Sequence, residues 1–103
     1  MPLSRITIRQ LEAFVTVADR RSFAAASREL GLSASAVSQL VSDLEDNFGF
    51  RLFDRTTRRV ALSTAGREMI GQAQSTMRNI ALVESFAADV RNRSAGIVRI
   101  GAP

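Results

Sequence analysis

The stretch SFAAASRELGLSASAVSQLVS, residues 22–42, decides the fold, because it holds two helices joined by a glycine-containing turn. Ser22 is a suitable N-cap for an alanine-rich helix over Phe23–Leu30, and Gly31 stands where the glycine after that helix is expected. Ser33 then caps the next helix. A helix, a short turn with glycine and a second helix at this spacing predict a helix-turn-helix.

The helix after Ser33 is predicted to have two unlike faces. Its apolar side chains recur at three- and four-residue spacing and form one buried stripe, made of Val37, Leu40, Val41, Leu44 and Phe48. The opposite face carries small uncharged side chains, namely Ser35, Ser38, Gln39 and Ser42. Short polar side chains let a helix backbone lie deep in a DNA major groove. Taken alone, the same face also fits a serine-rich surface that only meets solvent.

A capping box upstream predicts one more helix. Thr7 and Gln10 stand at its N-cap and N3 positions, and Ile6 and Leu11 are placed to pack as a hydrophobic staple. This helix should end near Asp19. Its buried face is predicted to consist of Leu11, Phe14, Val15 and Ala18.

A two-stranded hairpin is predicted downstream of Gly49, with strands at residues 52–53 and 60–62 and a turn at 56–59. It must pack on the helices, because an isolated hairpin is only marginally stable. Four arginines crowd into nine residues here: Arg51, Arg55, Arg58 and Arg59. Such a cluster fits a solvated surface or a phosphate-binding one, and the hairpin would bring its tip and base to flanking phosphates.

Ser63 is predicted to cap a long helix from about Thr64 to Val90. A heptad seam runs along it through Met69, Ala73, Thr76, Ile80, Val83, Ala87 and Val90. At roughly 40 Å, this helix is too long to bury against its own small domain, so a partner is expected to cover the seam. The alternative is a helix packed wholly on its own domain. Residues 91–96 predict a polar hinge and residues 97–100 a strand, as if the chain stopped just inside another domain.

Composition excludes several classes of function. The chain has no cysteine or histidine, so no metal site and no cofactor are expected, and an enzyme is improbable. All fourteen basic residues are arginine, and the net charge is +4. No secretory signal and no apolar run long enough for a membrane span is present, so a cytoplasmic location and no membrane contact are expected.

Several stretches in order resemble the N-terminal part of LysR-type transcriptional regulators along nearly the whole chain. They are residues 11–14 (LEAF), 22–26 (SFAAA), 30–33 (LGLS), 36–40 (AVSQL), 44–45 (LE), 49–55 (GFRLFDR), 60–66 (VALSTAG) and 96–101 (GIVRIG). The resemblance implies a bacterial regulator whose winged helix-turn-helix binds double-stranded DNA at an interrupted palindrome. It also implies a homodimer through the long helix, tetramers in full-length relatives, and an effector site in the C-terminal half that this chain lacks.

The resemblance also assigns candidate DNA contacts. The groove-reading candidates are Ser33, Ala34, Ser35, Ser38, Gln39 and Ser42. The candidates for the DNA backbone are Ser22 and Phe23 together with Arg55, Thr56, Arg58 and Arg59 on the wing. The chain departs from the family pattern in three ways: Ala34-Ser35 replaces a usual Gln-Pro pair, Gln39 replaces a usual arginine, and Ser27 replaces a usual alanine. Because glutamine suits adenine and arginine suits guanine, an unusual base preference is expected.

The predicted architecture is therefore mainly α, with a winged helix-turn-helix of three helices and a two-stranded wing over residues 1–62. Residues 63–92 form the linker and dimerisation helix, and residues 93–103 form the hinge and the beginning of a truncated effector-binding domain. A protein-interaction module is the alternative function, since winged helices also serve as docking domains. A small hydrolase is the third alternative, but no acid-base pair converges with a nucleophile.

Overall fold

The computed structural model describes the backbone of residues 5–55 and 58–100, and the side chains of that range as far as residue 94. Within this range the architecture is mainly helical, as predicted. Three short helices come first: α1 (Ile8–Arg20), α2 (Phe23–Leu30) and α3 (Ala34–Phe48). A much longer α4 spans Thr64–Ile100. Helices α2 and α3, with the turn between them, form the helix-turn-helix.

The predicted side-chain caps begin the four helices. The Thr7 hydroxyl accepts the Gln10 N–H at 3.1 Å, and the Gln10 amide oxygen accepts the Thr7 N–H at 3.1 Å, which confirms the capping box. The hydroxyls of Ser22, Ser33 and Ser63 each accept the N–H three residues further on, at 2.9–3.0 Å. Each cap satisfies one of the donors that a helix N-terminus leaves without an intrahelical acceptor.

The ends of the first three helices all adopt left-handed backbone. Gly31 and Gly49 end α2 and α3 at φ of 68° and 84°, a conformation that glycine reaches without a steric penalty. Arg21 ends α1 at φ 55°, and its N–H donates to the Val17 carbonyl at 2.7 Å. The predicted break after α1 is therefore confirmed, one residue later than expected and with a non-glycine residue as its cap.

The core lies between α1 and α3 and is closed by the segment that follows α3. Its largest fully buried side chains are Phe14, Val17, Val37, Val41, Leu44 and Leu52. The predicted stripe of α3 is confirmed for Val37, Val41 and Leu44, which are fully buried, while Leu40 and Phe48 are half-buried. The predicted face of α1 was partly wrong, because Ala13 and Val17 are fully buried while Leu11, Val15 and Ala18 are only half-buried. Helix α1 contacts α2, α3 and α4, so its buried face is broader than a single stripe.

The wing, residues 52–62, holds less sheet than predicted. One antiparallel bridge joins Phe53 to Leu62, with hydrogen bonds from Asp54 N–H to the Ala61 carbonyl (2.7 Å) and from Ser63 N–H to the Leu52 carbonyl (2.9 Å). The prediction of two strands was therefore wrong for the described residues, although the paired positions were right. The N–H groups of Leu52 and Phe53 donate to the Glu45 carboxylate, and that of Leu52 is the one that would otherwise face the second strand.

Helix α4 is longer than predicted. It continues through the expected hinge at residues 91–96 and the expected strand at 97–100, so both expectations were wrong. A strand needs a neighbour for its backbone groups, whereas a helix satisfies them within its own segment. At 1.5 Å per residue, α4 is about 55 Å long. No helix in the described part of the chain combines the length and apolarity that a membrane crossing requires. The domain boundaries at residues 62 and 92 stay predictions.

Candidate nucleic-acid interface

Helix α3 presents the predicted small polar face to solvent. Its four side chains follow each other at three- and four-residue spacing, opposite the buried stripe, and consist of Ser35, Ser38, Gln39 and Ser42. The first three are exposed and Ser42 is half-buried. Ser33 and Ala34 are exposed at the start of the helix, where Ser33 already accepts the Ala36 N–H at 3.0 Å and keeps its hydroxyl hydrogen for another acceptor. These side chains are short and uncharged, which allows the helix backbone to approach base edges closely.

A cleft of about 690 Å³ lies between the start of α2 and the wing. It brings together four of the predicted backbone contacts, namely Ser22, Phe23, Arg58 and Arg59. Two further arginines line the same cleft, Arg21 at the end of α1 and Arg67 in the first turn of α4. Four arginines on one concave surface give it positive charge. The arrangement is suited to phosphate groups.

Contacts within the chain fix the α2 side of this cleft. Ser22 accepts the Ala25 N–H at 3.0 Å, which leaves its hydroxyl hydrogen to donate outward. The Phe23 ring meets the Phe53 ring at a centroid distance of 5.9 Å, and Phe53 in turn meets Phe14 at 5.7 Å. This edge-on aromatic chain joins the start of α2 and the base of the wing to the core.

Arg55 lies in a different environment from the arginines of the cleft. Its Nη2 is 2.6 Å from Oε1 of Glu45, a carboxylate only 3% exposed, and Arg51 Nη1 is 3.3 Å from the same oxygen. The other oxygen, Oε2, accepts the N–H groups of Leu52 at 2.8 Å and Phe53 at 3.4 Å. Glu45 therefore ties the wing base to α3. A guanidinium carries five donors, so Arg55 keeps donors for a phosphate while Glu45 orients it.

Sequence reasoning missed three residues of this surface. Glu45 is buried, and its position beside the apolar stripe of α3 was the one available signal. No local sequence pattern identifies Arg21 and Arg67 as part of the cleft, because they come from α1 and α4 and meet there only in the folded chain. Thr56, the remaining predicted backbone contact, lies outside the described residues.

The structure divides the predicted seam of α4 into two sets. Ala73 is 4% exposed and belongs to the chain's own core, against which Met69 also packs. The proximal part of the seam thus follows the alternative of a helix packed on its own domain. Ile80 is half-buried, and the exposed members are Thr76, Val83, Ala87 and Val90. Two large apolar side chains outside the predicted seam are more exposed still, Leu82 at 66% and Phe86 at 65%.

The family described as "Bacterial regulatory helix-turn-helix protein, lysR family" matches residues 8–67 of the chain. The chain is 37% identical over 98 residues to the HTH-type transcriptional regulator PgrR of Escherichia coli K12, a match that covers 95% of this chain and 33% of that protein. It is 38% identical over 101 residues to the HTH-type transcriptional regulator PtxR of Pseudomonas aeruginosa, which covers 98% of this chain and 32% of that protein. The chain spans about a third of the length of these curated relatives.

Two solved structures have a fold similar to that of this chain. The BenM DNA-binding domain in complex with catB site 1 DNA has a TM-score of 0.77 at 25% identity, covering 82% of this chain and 96% of that one. Oxidised OxyR of Corynebacterium glutamicum has a TM-score of 0.77 at 35% identity, covering 81% of this chain and 27% of that one. The match covers nearly all of the BenM DNA-binding domain and about a quarter of the OxyR chain.

Proposed function

The chain belongs to the lysR family of bacterial regulatory helix-turn-helix proteins, and we propose that it binds double-stranded DNA as the sequence-reading part of a transcriptional regulator. Each of two copies places α3 in the major groove at one half of an interrupted palindrome, with the wing on the flanking backbone. The function is recognition and not catalysis.

The uncharged, exposed face of α3 carries this proposal. A recognition helix must bring its backbone close to base edges, which the serines and Ala34 allow, and it needs at least one side chain able to read a base. Gln39 fills that role because its amide offers both a donor and an acceptor. The other groove-reading candidates, Ser33, Ser35, Ser38 and Ser42, contribute single hydrogen bonds and close packing.

The arginine-lined cleft supplies the backbone contacts in this proposal. Arg58 and Arg59 form its wing side and Arg21 and Arg67 its helical side. Phosphate contacts are independent of sequence and supply much of the affinity, while base contacts discriminate among sequences. The first N–H groups of α2, next to Ser22, add further donors to phosphate. Arg55, oriented by Glu45, contributes from the wing base, and Thr56 stays a candidate.

Replacing Arg58 by alanine is expected to weaken binding to all duplexes by a similar factor. If Arg58 contacts one phosphate, the slope of log K against log salt concentration should become shallower by about one. Fluorescence anisotropy over a salt series measures this slope. Arg78→Ala is the matched control, because it removes the same charge from the exposed surface of α4, away from the cleft. An unchanged slope for Arg58→Ala would show that the cleft does not hold phosphate.

The distal half of α4 supplies the dimer interface in this proposal. Its apolar side chains lie on a face turned away from the one that packs on the chain's own core, and they are Leu82, Val83, Phe86 and Val90, between 41% and 66% exposed. Ala87 and Thr76 border this stripe. An α4 of about 55 Å extends beyond its own bundle. A second copy of the chain would cover the stripe, because a two-fold dimer packs the same apolar surface of each subunit against its counterpart. Ile80 lies between the stripe and the face that packs on the core. Met69 and Ala73 are not part of the proposed dimer interface, because they pack within their own subunit.

Replacing Val83 and Phe86 together by aspartate is expected to convert the dimer to monomers without unfolding the bundle. The reason is that two charges would be buried in an apolar interface without partners. Sedimentation equilibrium gives the mass, and circular dichroism reports the helix content. Ala81→Asp is the control, since residue 81 is exposed on another side of α4. A double variant that stays dimeric would place the interface elsewhere.

A further inference from the structure

Gln39, the base-reading candidate of α3, forms a side-chain hydrogen bond with Asp43 on the same helix. Nε2 of Gln39 donates to Oδ1 of Asp43 at 2.8 Å, four residues further along the helix. Glutamine and aspartate at this spacing are neighbours on a helix surface. An ionised carboxylate only accepts hydrogen bonds, so the amide group that faces it must be the nitrogen. Asp43 therefore determines which way round the Gln39 amide stands.

The orientation changes what the amide can offer to a base. A free glutamine amide has two N–H donors and one carbonyl acceptor. With one N–H committed to Asp43, the remaining groups are one donor and one acceptor. The major-groove edge of adenine presents N7 as an acceptor and N6–H₂ as a donor, which is the complementary pair. Guanine presents two acceptors, N7 and O6, and the committed amide has only one donor left for them.

We propose that Asp43 is a positioning residue that makes Gln39 selective for adenine over guanine. Asp43 acts through the amide and does not itself need to touch DNA. Its carboxylate has a second, opposite effect, because a negative charge on the recognition helix repels phosphate groups. Overall affinity and base discrimination therefore respond in opposite directions when Asp43 is removed. This inference rests on the proposed DNA-binding function.

The test begins with the duplex that the unaltered chain selects from a random library. The base pair at which Gln39→Ala abolishes an adenine preference is taken as the Gln39 position, and binding is then measured with adenine or guanine there. The unaltered chain should favour adenine by about tenfold, as a bidentate contact allows. Asp43→Ala should bind the guanine duplex more tightly than the unaltered chain does and lose most of that preference.

Asp43→Asn separates the two effects of the side chain. It removes the charge, but its amide oxygen still accepts the Gln39 N–H, so it should gain affinity and keep the preference within about twofold. In a Gln39→Ala background, Asp43→Ala should leave discrimination unchanged. The inference is overturned if Asp43→Ala keeps the full preference for adenine, or if Asp43→Asn loses as much of that preference as Asp43→Ala does. It is also overturned if no adenine preference depends on Gln39. An unaltered, folded chain that binds no duplex would instead contradict the proposed function itself.

Discussion

Replacing Gly66 by alanine is expected to destabilise the domain by about 3 kcal/mol, the upper part of the range for forcing an extra methyl into a packed site. A Cβ built at Gly66 would lie 2.0 Å from the carbonyl oxygen of Leu52 and 3.2 Å from a methyl carbon of Leu62. The first of these is backbone, so no side chain can rotate away. The Leu52 oxygen also accepts the Ser63 N–H at 2.9 Å, so moving α4 breaks the cap region too.

The measurement is the thermal midpoint by circular dichroism at one fixed protein concentration, which should fall by roughly 12–24 °C for a domain of this size. Gly71→Ala is the matched control on the same helix, because a Cβ at Gly71 would meet nothing within 4 Å. Alanine has the higher helix propensity, so this variant should gain up to about 1 kcal/mol. Equal stability of the two variants would mean that α4 does not lie against the wing as described.

Replacing Glu45 by alanine should cost about 3 kcal/mol and loosen the wing. The substitution leaves the buried N–H groups of Leu52 and Phe53 without their acceptor, and an orphaned buried donor costs about 1–3 kcal/mol. It also releases Arg55 and Arg51 from their carboxylate. Those arginines are 42% and 65% exposed, so screening by solvent reduces their share of the loss to a small part. Denaturant unfolding gives the free energy.

Two further variants divide the effect. Glu45→Gln keeps an oxygen that can accept the backbone N–H groups but loses the charge, so it should lose clearly less stability than Glu45→Ala. Arg51→Ala removes the more exposed partner and should cost under about 1 kcal/mol. If Glu45→Ala were no less stable than Arg51→Ala, the carboxylate would not be the anchor between α3 and the wing. For DNA binding, Glu45→Ala should weaken affinity further than its stability loss explains, since Arg55 loses its orientation.

Local patterns predicted the helices because local chemistry determines them. The capping box at Thr7 and the serine caps are encoded within four residues, and so are the left-handed glycines at the ends of α2 and α3. Sequence could not predict that the N–H groups of Leu52 and Phe53 would donate to the Glu45 carboxylate seven and eight residues earlier. The continuation of α4 through residues 91–100 was missed for a related reason. A short alternating stretch fits a strand or a helix equally well until its neighbours are known.

The candidate site shows the same division. The exposed face of α3 was predictable from spacing alone, as were Arg58 and Arg59 on the wing. Arg21 and Arg67 joined the cleft only when three separate segments came together. Along α4, the spacing of apolar residues could not show that Ala73 is covered by its own subunit. Only the fold distinguishes an apolar residue that is already buried from one that needs a partner.

The most direct test is the binding of this 103-residue chain to the interrupted palindrome that it selects from a random duplex library. Fluorescence anisotropy would compare that palindrome with a single half-site and a mixed-sequence duplex across a salt series. We expect tight binding to the palindrome as a dimer, weaker binding to the half-site, and a steep salt dependence on all three. A folded, dimeric chain that bound none of them at low salt would contradict the account and favour a protein-docking role.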